Sequence, residues 1–330
     1  MTRTHEVLNQ VPPLVDYDVY ATDVALTEAV RREQAGWAEE RLRTVGKVAG
    51  GEALAWGIQA NRHPPELRAF DRFGHRVDEV EFHPAWHQLL AVAVEHGLHA
   101  SPWLEPRAGA HVARAAAFFV LTQAEAGFGC PISMTYSAVP ALRQSPALAR
   151  EWEPRLASRH YDPRNKPAAH KRGALAGMAM TEKQGGSDVR ANTTRATANG
   201  DGSYTLVGHK WFCSAPMCDL FLVLAQTPRG VSCFCVPRWQ PDGVKNRMHL
   251  MRLKDKLGNK SNASSEVEFD GAWGQLVGEE GRGVPTILAM VSHTRLDCCI
   301  GAAAGMRAAV TQALHHASHR ASWVRVLGRV

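Results

Sequence analysis

The sequence predicts an α+β protein in three parts, because its hydrophobic period changes twice along the chain. Residues 1–175 carry apolar side chains at spacings of three and four, the pattern of an all-helical domain. Residues 176–277 break into short β-branched and aromatic runs between turn signals, which predicts a small antiparallel barrel or sandwich. Residues 278–330 return to a long apolar helical pattern, the first helix of a further helical bundle. With 330 residues, 45% of them apolar and 21% charged, the chain can bury a large core.

Residues 1–20, with Pro12-Pro13, read as an extended arm. Over 23–49, Ala25, Leu26, Val30, Ala35 and Trp37 lie at amphipathic spacing, with Thr22-Asp23 as the N-cap. A second helix over 53–61 is stopped by His63-Pro64-Pro65, and Pro65-Glu66-Leu67 is expected to open a short helical turn. The stretch 70–81 around Gly74-His75 reads as an irregular or hairpin-like excursion. Helices follow over 87–95 and 108–126, the latter ending in Gly127 and Gly129, and a new segment then carries Met134, Thr135 and Tyr136.

In the second part, strands are expected over 204–208, 210–214, 220–226, 232–237, 249–253 and 266–269, with turns at 199–202 and 241–243. Gly278, Gly281 and Gly283 have the order G-x-x-G-x-G without a surrounding βαβ unit, so they read as a hinge and not a dinucleotide fingerprint. Pro285 opens the last helix, where Gly301 and Gly305 would allow close helix approach.

Seven cysteines, with Cys233-x-Cys235 and Cys298-Cys299 but no C-x-x-C pair, argue against a disulfide framework or a zinc ribbon, and predict reduced thiols in a cytoplasmic protein. The start MTRTHEVLNQVPPL lacks an apolar leader, and no uninterrupted apolar run has membrane-spanning length, so no membrane partner is expected. A net charge of +6 and a pI of about 9.0 permit nucleic-acid contact without demanding it. The densest basic cluster, Arg164, Lys166, His170, Lys171 and Arg172, reads as a solvated linker. His83 and His87 stand at i and i+4 without a third candidate ligand, so they are assigned to a helix start and packing; His315, His316 and His319 are read the same way, and no metal site is expected.

The stretch MAMTEKQGGSDVRAN (178–192) carries the chemistry. Thr181 and Ser187 offer hydroxyls, and Gly185-Gly186 exposes backbone N–H groups to an anion such as a pyrophosphate, although an ordinary turn into a strand has the same composition. Trp211, Phe212, Cys213 and Ser214 add an aromatic face beside a hydroxyl, suited to cover an isoalloxazine ring; a pair of buried core aromatics is the alternative.

Together, TEKQGGSDV, GHKWFCS and KDKLGNKSNASSEVEF resemble the signature segments of the acyl-CoA dehydrogenases. Lys183-Gln184, with NRHPPEL and EFHPAWHQL, is similar to the alkylation-response (AidB-type) subgroup, and the resemblance runs from about residue 9 to 320. It implies a helical–β–helical fold, FAD as cofactor, oxidation of an acyl-CoA thioester between its α and β carbons, and a homo-oligomer, by family a tetramer. By resemblance Met178, Met180, Thr181, Gly185, Gly186, Ser187, Phe212, Cys213 and Ser214 would meet the flavin. Ser187 would also meet a ligand phosphate, Arg295 would lie on the ligand path, and Arg320 would reach a flavin phosphate across a subunit interface.

The resemblance also places the family's catalytic glutamate in a carboxy-terminal bundle, beyond Val330, so no catalytic residue is assigned; Glu182 belongs to the cofactor-binding turn. The ending HRASWVRVLGRV departs from the family, which predicts a truncated or frame-shifted product. The alternative reading is a flavin-containing protein that protects or repairs alkylated duplex DNA, with DNA contact attributed in that subgroup largely to the carboxy-terminal region.

Overall fold

A computed structural model describes residues 4–322 and 325–326. The helical part begins with α1 (Val24–Arg32), whose N-cap Asp23 accepts from the Leu26 N–H at 3.1 Å. The single helix expected over 23–49 is two: Gln34 turns left-handed at φ 61°, and α2 (Glu39–Gly50) starts afresh. The break is tertiary in origin. The Trp37 indole N–H donates to the Ala108 carbonyl at 3.0 Å and the Arg107 guanidinium lies 3.3 Å from its ring centroid.

After α3 (Glu52–Arg62), Pro65-Glu66-Leu67 does not open a helix; residues 66–81 form a hairpin of β1 (Glu66–Phe70) and β2 (Arg76–Glu81). Its supports come from far along the chain. Asp78 accepts from the Leu250 N–H at 3.1 Å, and Arg76 and Arg238 donate to the carbonyls of Leu250 and Asp78. The amino-terminal part is therefore not all-helical. Four helices continue it: α4 (Pro84–Glu95), α5 (Ser101–Leu104), α6 (Ala110–Thr122) and α7 (Gly129–Leu142), followed by α8 (Pro146–Leu156).

Seven strands follow: β3 (Ala176–Ala179), β4 (Arg195–Ala198), β5 (Ser203–Ser214), β6 (Leu220–Thr227), β7 (Gly230–Pro237), β8 (Met248–Leu253) and β9 (Ser264–Val277). β5 pairs with β9, β9 with β7, β7 with β6, and β3 and β4 both bridge β6 to β5, which closes the sheet into a barrel. The sheet is not purely antiparallel, because β3 and β4 run parallel to β6. Two expected strands, 204–208 and 210–214, are one. Gly208 kinks β5 at φ 149° without ending it, in a place where a Cβ would stand 2.5 Å from Thr194 Oγ1.

Last comes α9 (Gly283–His319), whose first half packs on α7 and α6. Length and hydropathy alone would let α9 cross a bilayer. Its Asp297, however, is buried and ion-paired to Arg114 of α6, which gives this helix a place in the protein core. Gly301 and Gly305 meet no helix: a Cβ at either would find nothing within 4 Å among the described residues. One hydrophobic core runs unbroken from the helices into the barrel.

Candidate functional site

The two motif stretches meet because β3 lies against the end of β5, with Ala179 opposite Cys213. Alternation along each strand then sorts the side chains. Ala179 and Cys213 are fully buried, while Met178, Met180 and Thr181 from one stretch and Phe212 and Ser214 from the other border a single cavity of about 830 Å³. Phe212 is 49% exposed, with Lys254 Nζ over its ring at 4.5 Å from the centroid. Cys213 points into the barrel, where burial pushes its thiol up to about 12.

Three helices close the other side. Phe118 and Thr122 come from α6, Cys130, Ser133 and Met134 from α7, and Val291, Thr294 and Asp297 from α9. The mouth is formed by the turn into β9, where Lys256 Nζ donates to the carbonyls of Asn259 (2.9 Å) and Asn262 (2.6 Å). Ser214 Oγ and Ser264 Oγ lie 3.0 Å apart at the barrel edge. Burial pushes the Cys130 thiol up to about 11, against the nearby Lys256 charge, so it stays protonated at neutral pH.

The remaining named residues lie elsewhere. Gly185 and Ser187 are exposed and do not border the cavity. Gly186 does act on it indirectly: a Cβ there would stand 2.5 Å from Thr181 Oγ1, so only glycine lets the turn fold against that hydroxyl. Arg295 is exposed on α9. Arg320 ends the same helix, roughly 28 Å beyond Gly301 at the usual rise per residue, and its guanidinium donates to the Asn9 carbonyl of the amino-terminal arm.

Two buried carboxylates hold the site together: Glu182 of the motif turn, and Glu125, to which the sequence reading gives no role. Glu182 is fully buried and accepts from Lys210 Nζ (2.8 Å), from the N–H groups of Thr193 (2.7 Å) and Thr194 (3.1 Å), and from Gln184 Nε2 (2.8 Å). Burial alone would raise its pKa, but Lys210 and these donors outweigh it and hold the carboxyl well below the usual range. Glu125 accepts from the N–H groups of Gly127 (2.7 Å) and Phe128 (3.2 Å), from Asn61 Nδ2 (3.0 Å) and from Ser261 Oγ (2.8 Å), which ties the start of α7 to the mouth of the cavity. The only sequence signal for the first is a lysine within the run that becomes β5 and a glutamate in the turn after β3.

The histidines serve the helices. His83 caps α4 by accepting from the Ala85 N–H at 3.2 Å, and His87 lies 2.7 Å from the Tyr161 hydroxyl. The basic cluster is not a solvated linker throughout: Lys171 is buried against Asp219 at 2.6 Å, Arg164 pairs with Asp162, and Arg172 meets His160 at 2.9 Å.

Comparison with known proteins agrees with this geometry. Residues 9–163 match the family described as "Adaptive response protein AidB N-terminal domain", and residues 177–272 match "Acyl-CoA dehydrogenase, middle domain". The chain is 52% identical over 321 residues to a putative acyl-CoA dehydrogenase AidB of Escherichia coli, covering 96% of this chain and 59% of that protein. It is 32% identical to acyl-CoA dehydrogenase family member 11 of Caenorhabditis elegans, over 84% of this chain and 47% of that protein. The crystal structure of C. elegans ACDH-11 in complex with C11-CoA superposes with a TM-score of 0.90 at 26% identity, over 100% of this chain and 58% of that one. The chain thus spans about half the length of these relatives, between 47% and 59%. With both halves of the cavity wall matched in this way, the chain belongs to the acyl-CoA dehydrogenase family, in its AidB subgroup.

Proposed function

We propose that the cavity binds the ring system of FAD together with the acyl end of a CoA thioester, as part of an acyl-CoA dehydrogenase-like flavoprotein. One observation carries this reading: Met178, Met180 and Thr181 of one stretch and Phe212 and Ser214 of the other border one cavity. Its volume of about 830 Å³ lies in the range of small-molecule and cofactor sites. The residues suit a flavin. Phe212 offers an aromatic ring, Thr181 and Ser214 offer hydroxyls, and the polar side chain of Asn262, whose buried Oδ1 has no hydrogen-bond partner among the described residues, belongs to a residue that borders the same space.

The family is FAD-dependent, and a bound flavin supplies a hydride acceptor. The chain's own residues position and exclude. Phe212 would support the ring, Thr181 and Ser214 would hydrogen-bond its polar edge, and Phe118, Met134 and Val291 keep water from the acyl side. Cys130, protonated at neutral pH, is not a base for the reaction. The alkylation-response reading gains no support from the basic cluster at 164–172, several of whose cations are engaged internally.

The test is a visible absorption spectrum of the purified chain after incubation with FAD and removal of excess. The expected result is a retained flavin band, shifted and resolved relative to free FAD, that weakens in Phe212→Ala and Ser214→Ala. A chain that retains no flavin overturns the reading.

A further inference from the structure

A cluster of cations stands at one edge of the cavity. Trp211 precedes Phe212 near the end of β5, and its backbone N–H donates to the Thr181 carbonyl at 2.8 Å, which fixes it to the motif turn. Around its ring lie Lys254 Nζ, 3.3 Å from the centroid, the Arg252 guanidinium at 5.6 Å and Lys183 Nζ at 5.7 Å. Lys254 Nζ also lies 4.5 Å from the Phe212 centroid, so the cluster is continuous with the cavity that Phe212 borders. Lys256 of the same turn borders the cavity itself.

The cluster is only partly neutralised. Glu266 accepts from Arg252 Nε at 2.5 Å and from Lys254 Nζ at 2.8 Å, and it is the one carboxylate paired with any of the four cations among the described residues. Lys256 directs its ammonium to the Asn259 and Asn262 carbonyls. With Asp255 of the turn included, four cations stand against two carboxylates, a surplus that suits a doubly charged anion. Lys183 and Arg252 are exposed, so their N–H groups are open to a ligand.

FAD and CoA esters share one feature that meets this surplus: each joins the part that enters a cavity to a stem carrying a pyrophosphate. An unpaired anion is costly to bury. Inside the cavity Lys256 is the only cation among the described residues, whereas the edge beside Phe212 offers three more.

We propose that Lys183, Arg252 and Lys254, gathered around Trp211, form the docking site for the phosphate-bearing stem of a ligand whose other end occupies the cavity. The inference rests on the reading of the cavity above and adds where the anionic part leaves it. Arg252 can grip a phosphate through two N–H groups and Lys183 as a point charge, while Trp211 holds Lys254 by a cation–π contact.

The test is titration of two ligand pairs that differ in the stem: FAD against riboflavin on the flavin-free chain, and octanoyl-CoA against S-octanoyl-pantetheine on the FAD-loaded chain. In at least one pair the phosphate-bearing member is expected to bind about tenfold more tightly, and the pair that does so identifies the stem. That advantage should collapse toward unity in Lys183→Ala/Arg252→Ala, and in the unaltered chain at high salt, where exposed charges are screened. The phosphate-free member should keep its affinity in both. No phosphate advantage in either pair overturns the inference and leaves the flavoprotein reading standing. An advantage that survives the double variant also overturns it, as does an equal loss for both members of a pair, since the cations then act on the cavity and not on the stem. Absence of binding by all four ligands overturns the reading of the cavity and the inference with it.

Discussion

The molecule contains two fully buried cation–carboxylate pairs near the cavity, and they are built differently. Glu182 with Lys210 sits behind the motif turn, where the carboxylate accepts from a lysine, two backbone N–H groups and a glutamine side chain. Asp297 with Arg114 sits on the helical wall, where one carboxylate oxygen and one guanidinium nitrogen are left without partners among the described residues. A satisfied pair fixes geometry; a partly satisfied one carries a desolvation cost that its partners do not fully offset. The fold answers the first pair completely and the second only in part.

The largest expected effect breaks the first pair. Glu182→Ala should destabilise the chain by about 3–5 kcal/mol, because Lys210 is left buried and unpaired, as read from urea unfolding. Next in size is a third half-satisfied group. His99 is buried and donates from Nε2 to the Ser158 carbonyl at 3.0 Å, while Nδ1 has no partner among the described residues. Burial lowers its pKa to about 4, below the unfolded value, so the unfolded chain binds the extra proton first. Stability contributed by neutral His99 is then full above about pH 6.5 and falls, by on the order of 3 kcal/mol, as pH drops toward 4. His99→Gln should flatten that slope in unfolding free energies measured across the window.

The comparison itself is sharpest in paired replacements. Glu182→Leu/Lys210→Met should still cost about 1–3 kcal/mol, because the N–H groups of Thr193 and Thr194 lose their acceptor. Asp297→Leu/Arg114→Met should come out near neutral or stabilising, because fewer partners are orphaned. Equal costs for the two double variants would erase the distinction. The first pair also has a signature in acid. Glu182, held below the usual carboxylate range, contributes stability that is present above about pH 4.3 and is lost as pH falls through its lower folded value. The smallest stability effect is expected at Phe212, half-exposed on the cavity: Phe212→Ala should shift unfolding by under about 0.5 kcal/mol. FAD affinity should nevertheless drop up to about tenfold with the lost stacking face.

The local signals in the sequence were legible where one residue type answers one backbone need. Asp23 caps α1, and Pro285 lies in the first turn of α9. The apolar run of β6 is a barrel strand as its composition requires. Signals failed where distant contacts decide. The charged hairpin of β1 and β2 depends on Asp78 and Leu250, and the break after α1 depends on Trp37 meeting Ala108. β9 extends to Val277, well past 269, because Gly271 at φ 80° continues the pairing through an irregular register. In the site, the period of two brought Met178, Met180, Phe212 and Ser214 to one cavity, but the same motif carries Gly185 and Ser187 out to solvent.

From the sequence alone came the order of helical and β segments, and the stretches that supply one side of the cavity, because periodicity and turn chemistry are local properties of a chain. Only the tertiary structure decided which charges are buried and how completely each is answered. Glu182 and Asp297 are both acidic residues in the sequence, and what separates them is the number of donors that folding brings within reach.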